Sequence, residues 1–424
     1  MPTNNIRHKS LKLRIYPNTQ QEILINKTFG CCRLIYNLHL EERLKFYENN
    51  NLKEIKDKNE RIKILKTFKP KTEKEWKVEY PFMKEVAAQS LQQSVRNCES
   101  AFNNFFSKRT GFPKFKSKKN NHQSYKEVQC ESRQLDVESH KIKISKLGWV
   151  NYKHKVFPKW FNQVQALKSI TVEKTPSGKY FAVCLFEIEN KIYKIENRED
   201  SIGLDFSPSE CYVDSNGQTG KNFGYKPQKQ KNIKTLRKYQ RQLARKTKGS
   251  SNYRKARIKL ARIEEYIANC RKDWIEKETL RLVKSYDKVV VEDLNLKGIS
   301  SFLRNAKNMN DTSWGTFVER LIAKGQDYNC QVIKADRWFP SSQLCSNCGY
   351  QYHELKLSER EWTCPICHEH HIRDVNAAIN LKNHVPLERG KLMPVEDIEG
   401  KSNIALEALE YPMKQESHPS LAGE

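Results

Sequence analysis

Four cysteines, Cys345, Cys348, Cys364 and Cys367, stand as two Cys-x-x-Cys pairs with fifteen residues between them. Each pair bends back so that both sulfurs face one ion, and two such knuckles complete a tetrahedral thiolate site. Few short patterns restrict a chain more, because both knuckles must then close around one ion. Four thiolates leave no place for water, so the spacing predicts structural Zn2+ with no chemistry at the zinc itself. His368, His370 and His371 crowd the second knuckle. The complete thiol set makes them redundant as ligands, which leaves a role near substrate open. Seven residues beyond Cys367, Asp374 opens a small-residue helix, DVNAAINL, so closing the knuckle fixes where that helix starts.

Two more carboxylates occupy places that need explaining. Asp205 lies in the apolar strand IGLDFS, and Glu292 ends the apolar strand VVVED. A carboxylate in such a strand is costly to bury unless it is paired or binds a cation. Asp205, Glu292 and Asp374, converging from separate elements, could hold two divalent ions, which activate water and stabilise the leaving oxygen of a phosphodiester. Any one of these acids also has a bland reading, since Asp and Glu often terminate strands.

Charge points to the same substrate class. The 424-residue chain carries 77 Lys and Arg against 50 Asp and Glu, a net +27. Residues 386–424 hold eight acidic and four basic residues, so the rest of the chain carries about +31. Nucleic acid is the commonest partner for a body this basic. The excess peaks between Lys221 and Lys259, which hold fifteen Lys or Arg and no acid. A narrow apolar seam of Ile233, Leu236, Tyr239 and Leu243 makes that segment a one-sided helix with a cationic face. No apolar run approaches the ~18 residues of a membrane span, and the N-terminus has no secretory h-region. The other eight cysteines are scattered, as suits a reducing cytosol, so a cytoplasmic location is expected.

Periodicity sketches the remaining elements. LKLRIYP alternates as a strand and stops at Pro17. Thr19 and Glu22 have capping-box spacing before a helix from about residue 20 to 47. A second helix is expected from about 83 to 108, with Val86, Leu91, Val95, Phe102 and Phe105 as its core stripe. GFPKFKSKKNNHQSY, from Gly111 to Tyr125, is either a solvated connector or a loop that follows a phosphate backbone, with Phe112, Phe115 or Tyr125 stacking on bases. From Leu135 to Glu189 the pattern is of strands, which with LKLRIYP suggests a small β-barrel into which the N-terminal helices are inserted. SIGLDFSPSECYVDSNG reads as two strands closing on Asn216-Gly217. The tail after His384 is polar and aperiodic, an expected disordered segment.

IGLDF, VVVEDLNLKGI and RDVNAAINL resemble the three segments of a RuvC-type, RNase H-like nuclease. With LKLRIYP, GFPKFK, IANCRKDW and DRWFPSSQLCSNCG, they resemble the TnpB family of transposon-encoded, RNA-guided DNA endonucleases, related to the compact type V CRISPR effectors. The resemblance runs over roughly residues 10–382. It implies an α/β and α+β multidomain chain: a wedge β-barrel from residues 1–18 and 126–195, a helical recognition lobe at 19–125, and a RuvC-like nuclease at 196–385 carrying the zinc ribbon. It implies that Asp205, Glu292 and Asp374 are catalytic and bind Mg2+, with Asp205 bridging. It also implies a guide RNA from the transposon end and target DNA as partners, base pairing supplying sequence choice. Arg373 is a candidate phosphate contact. His368 stands where the family often has Gly, and Ile372 where an acid often precedes Arg373-Asp374.

Two other functions fit parts of the pattern. A transposase with RNase H-like chemistry commonly orders its acids Asp, Asp, Glu, whereas the order here is Asp, Glu, Asp, and no helix-turn-helix reader is evident near the N-terminus. A nuclease-silent, RNA-guided repressor would be expected to have lost catalytic acids, and all three are present.

Overall fold

The computed structural model describes residues 6–384, apart from 53, 56, 58, 59, 61, 62, 66, 120, 121, 155, 190, 221–226, 295–312 and 357. The expected disordered tail lies outside the described residues. Among the described residues no helix is long and apolar enough to cross a membrane.

β1 (Ile6–Tyr16) alternates exposed and buried positions and turns Leu11, Leu13 and Ile15 inward. Helices α1 (Thr19–Asn49), α2 (Glu73–Glu79) and α3 (Ala88–Phe106) follow before the chain returns to a strand. The cap of α1 is one residue earlier than the spacing suggests. Asn18, not Thr19, accepts from the Gln21 amide, and the Gln21 side chain accepts from the Asn18 amide in return. Either residue type can cap, and Asn18, at the end of the extended segment, is the one placed to satisfy the free Gln21 amide. The second expected helix, α3, starts at Ala88 rather than near 83, because Pro81–Glu85 forms a 3-10 turn that ends in extended backbone at Val86. Leu91 and Phe102 are buried as the helical stripe predicts, Val86 is buried just before the helix, and all three belong to the core rather than facing a ligand.

The sheet continues with β2 (Gln123–Val128), β3 (Leu135–Asp136), β4 (Lys141–Ile144), β5 (Gly148–Lys153), β6 (Val164–Lys174) and β7 (Tyr180–Glu189). Its seven strands run in the order β2-β6-β7-β1-β5-β4-β3, every neighbour antiparallel. Among the described residues no ladder joins the end strands β2 and β3, so the expected barrel is seen as a seven-stranded sheet. The helices α1–α3 are inserted between its first two strands in sequence. Tyr125 is not a stacking candidate: it sits in β2, buried, edge-on to Phe29. Phe115 stays half exposed, and Lys116 is taken up by the Tyr36 ring 4.0 Å away.

A second, four-stranded sheet has the order β11-β10-β8-β9. β8 (Glu199–Ser207), β10 (Tyr286–Glu292) and β11 (Gln331–Ala335) are parallel, and β9 (Cys211–Asp214) folds back antiparallel on β8. The β8–β9 turn falls at Ser207–Cys211, not at Asn216-Gly217. The latter pair turns β9 onto Thr219, with Gly217 at φ +74°. Between β9 and β10 the chain forms α4 (Pro227–Ala244) and α5 (Ser251–Ser285), and α6 (Trp314–Tyr328) precedes β11. The four seam residues of α4 are half-buried, while the Lys and Arg side chains from Lys231 to Lys259 are exposed. Strand alternation divides this sheet. Ile202, Leu204, Val289 and Val291 join Leu282, Phe317 and Leu321 in one core, and Val290 meets Leu381 of α7 (Arg373–Asn383) on the other face.

α6 also ties the two sheets together. Asp327 accepts from Arg7 at 2.7 Å and from Lys9 at 2.5 Å, both on β1, and its carbonyl accepts from the Tyr193 amide at 2.8 Å.

Candidate active site

Register brings two of the three predicted acids together. Val291 of β10 pairs with Leu204 of β8, so Glu292 and Asp205 are the next residues along adjacent parallel strands. By parity both lie on the face that carries Gly203 and Val290, which is the face α7 covers. Gly203 explains how closely α7 can approach. A Cβ there would lie 2.0 Å from the Ala378 carbonyl oxygen and 2.5 Å from the Lys382 nitrogen, so only glycine lets the helix rest on the strand. Asp374, in the first turn of α7, thereby arrives beside the strand acids.

The electrostatics register that convergence. Asp205 is 9% exposed. Burial pushes its carboxyl well above the usual range, and Glu292 and then Asp374 push it further, while Arg373 and Arg360 pull the other way. Burial likewise raises Glu292, against a hydrogen bond from Ser341 and the charge of Arg373. The Ser341 hydroxyl lies 3.3 Å from the Glu292 carboxylate, and Arg360 lies 3.4 Å from Asp374. Ser341 and Arg360 were not foreseen from sequence. Their partners are 49 and 14 residues away, a separation no local pattern encodes.

The predicted zinc ligands form a tighter group. Among the described residues the four cysteines are the one set of His, Cys, Asp or Glu whose ligand atoms all lie within 4.8 Å of one another. Cys345 and Cys367 sulfurs are 3.5 Å apart, and Cys348 and Cys364 sulfurs 3.6 Å. Zn–S bonds of ~2.3 Å in a tetrahedron require about 3.8 Å, so these thiols fit a structural zinc with little movement. The Glu369 amide holds the Cys367 thiol down to about 6, ready to act as thiolate.

The two knuckles repeat one geometry. Gly349 donates to the Cys345 carbonyl and His368 to the Cys364 carbonyl, each at 2.9 Å. Both have positive φ, +77° and +59°. The chain thus accepts His368 at a turn that favours glycine, at the strain a left-handed His carries. His371 is buried, its Nε2 3.0 Å from the Cys345 sulfur and its ring against Trp362. His370 is exposed, 3.6 Å from Glu361. Of the histidine link, His371 belongs to the ribbon interior and His370 faces solvent.

The cluster and the acids are joined by side chains of α7. Asn376 donates to the Leu344 carbonyl at 2.6 Å and accepts from the Ser346 amide at 2.9 Å. Asn380, one turn on, donates to the Ser341 and Leu344 carbonyls at 2.8 and 2.7 Å. From the other side, β12 (Glu361–Thr363) pairs with β13 (His370–Ile372), which runs straight into Arg373. The ribbon therefore grips α7 at its start and along its flank, and Ser341 carries that grip to Glu292.

A mixed sheet with acids under one helix, a four-cysteine ribbon at that helix and an antiparallel sheet with inserted helices make up the fold of a compact effector. One solved structure with that fold is described as the cryo-EM structure of the Cas12f1-sgRNA-target DNA complex, and its protein matches at TM-score 0.52 and 13% identity over 90% of this chain and 99% of its own. Family models match at residues 314–381 ("Cas12f1-like, TNB domain"), 183–302 ("Probable transposase") and 4–51 ("Helix-turn-helix domain"). Among the described residues the last region is β1 and the single helix α1, with no second helix before Asn49. The chain is 31% identical over 373 residues to "Putative RNA-guided DNA endonuclease" of Streptomyces pristinaespiralis, covering 88% of each. It is 29% identical over 407 residues to "Putative RNA-guided DNA endonuclease InsQ" of Escherichia coli K12, covering 91% of this chain and 95% of that one. The chain belongs to the TnpB family.

Proposed function

We propose that the protein is an RNA-guided DNA endonuclease, associated with a transposon, that hydrolyses phosphodiesters at Asp205, Glu292 and Asp374. The observation that carries this reading is the buried Asp205, whose charge is opposed by two further carboxylates brought from separate elements. Such repulsion is kept where a cation is to be held, and perturbed carboxylates in that setting mark functional sites.

Asp205, Glu292 and Asp374 are the residues that would hold Mg2+, which when bound supplies charge neutralisation and an activated water for phosphodiester attack. Glu292 is oriented by Ser341, and Asp374 by Arg360 and the start of α7. Arg373 and Arg360 supply the positive charge that favours a phosphate beside three acids. Cys345, Cys348, Cys364 and Cys367 would hold a closed structural Zn2+ that positions α7. In this reading residues 196–385 are the RuvC-like nuclease and 340–370 its ribbon. Residues 1–18 and 126–195 would be the wedge, built on the seven-stranded sheet, and 19–125 the recognition lobe. The exposed cations of α4 and early α5 face the nucleic acids.

Sequencing the RNA that co-purifies with the protein, then offering DNA that matches it, tests the proposal. A discrete RNA and Mg2+-dependent cutting of the matched duplex are expected. Binding of the matched DNA without cutting would instead favour a repressor. Cutting that needs no RNA would favour a transposase-like enzyme.

A further inference from the structure

Trp338 is 81% exposed, the most exposed large apolar side chain among the described residues. It lies in the turn between β11 and the ribbon, and among the described residues no aromatic or cation contact engages its ring. The backbone beneath it is, by contrast, firmly fixed. Asp336 accepts from the Trp338 amide at 2.8 Å and, through its carbonyl, from the Phe339 amide at 3.1 Å. The Ser341 amide donates to the Phe339 carbonyl at 2.8 Å. The residues on either side are anchored at the acid site. Arg337 is ion-paired with Asp293 at 3.2 Å, next to Glu292, and Phe339 packs with Val290, Ala335 and Leu381. Three residues on, Ser341 reaches Glu292 itself.

A pinned turn that aims an unpartnered indole into solvent at the rim of the acid site has the form of a stacking platform. Its neighbour Arg337 shares Asp293 with Lys334, which leaves a net positive group of the three at this edge. We propose that Trp338 is a positioning residue that stacks on an unpaired base of the DNA strand being cut, next to the scissile phosphate, and so holds that phosphate over Asp205, Glu292 and Asp374. The proposal rests on the nuclease reading above and adds a contact that neither the fold nor the acids require. An aromatic–base stack contributes about 1–3 kcal/mol, which is about 5- to 150-fold in an equilibrium or rate.

The test uses the complete RNA–protein complex and matched targets that carry a single abasic site at successive positions around the cut. Wild-type cutting of the intact target comes first, and its absence removes the nuclease reading and this proposal together. With cutting established, one abasic position should slow wild type by about 5- to 150-fold. Trp338→Ala should cut the intact target as slowly as wild type cuts that abasic one, with no further loss at that position, and Trp338→Phe should recover most of the rate. With Ca2+ in place of Mg2+ to hold back cutting, 2-aminopurine at the same position should be quenched by wild type and bright with Trp338→Ala. Melting temperature and bound RNA should not change. The proposal is overturned if Trp338→Ala cuts at the wild-type rate or if the abasic cost is the same in both proteins at every position. A lower melting temperature or lost RNA would also overturn it, assigning the ring to the fold or to the guide.

Discussion

Four thiols draw together within 4.8 Å, whereas three carboxylates brought from β8, β10 and α7 meet with Asp205 buried against the charge of the other two. Both sets are read as metal sites, and the difference lies in what each can do without an ion. Protonated thiols are small, nearly apolar groups that pack and accept amide hydrogen bonds, so the ribbon can close around Cys345 and Cys364 as a core. Carboxylates retain their repulsion, and here burial and mutual charge work against Asp205. One site contributes to folding and the other is maintained by folding, through Asn376, Asn380 and Gly203.

That contrast can be broken from the ribbon side first. Cys345→Ser should give the largest loss, because structural zinc contributes about 10–16 kcal/mol in isolated zinc-finger peptides. Zinc content, melting temperature and cutting should fall together, and an active preparation with no zinc would end the scaffold account. Gly203→Ala should come next. A Cβ 2.0 Å from a backbone carbonyl forces α7 off β8, at about 3 kcal/mol or more, with cutting lost although every acid and cysteine remains. Denaturant melts and zinc analysis of this variant would show zinc retained while stability drops.

Asn380→Ala tests the link itself. It leaves the buried Ser341 carbonyl without its donor, a cost of about 1–3 kcal/mol, while the Leu344 carbonyl keeps Asn376. Cutting should fall more than DNA binding, because Ser341 then positions Glu292 less well. Equal losses in both would make Asn380 a general stabiliser. The smallest effect is expected from His368→Gly, which relieves a left-handed φ and should be neutral or stabilising by up to ~1 kcal/mol in a thermal melt. Destabilisation would show that the imidazole makes a contact that outweighs the strain.

The same contrast explains what the sequence discloses. Local chemistry is legible: the thiol spacing, an acid inside IGLDFS, an acid ending VVVED and the Asp374 helix all depend on near neighbours. Alternation also sets β1, and helical spacing sets the buried Leu91 and Phe102. Long-range partners are not legible. Nothing in DRWFPSS says that Ser341 meets Glu292, and nothing before Trp362 marks Arg360 for Asp374. Near-degenerate local choices are misread by a residue or a turn, as with Asn18 against Thr19 and Ser207–Cys211 against Asn216-Gly217. Tyr125 fails as a stacking residue because strand parity in β2 turns it inward.

The most direct test of the carboxylate site is the rate at which Asp205→Asn, with RNA bound, cuts matched DNA in Mg2+. The substitution removes the opposed charge but keeps the shape, so the protein should melt at or above the wild-type temperature and still bind the target. Cutting should fall to background. Cutting at the wild-type rate would contradict the assignment of Asp205, and with it the site proposed here.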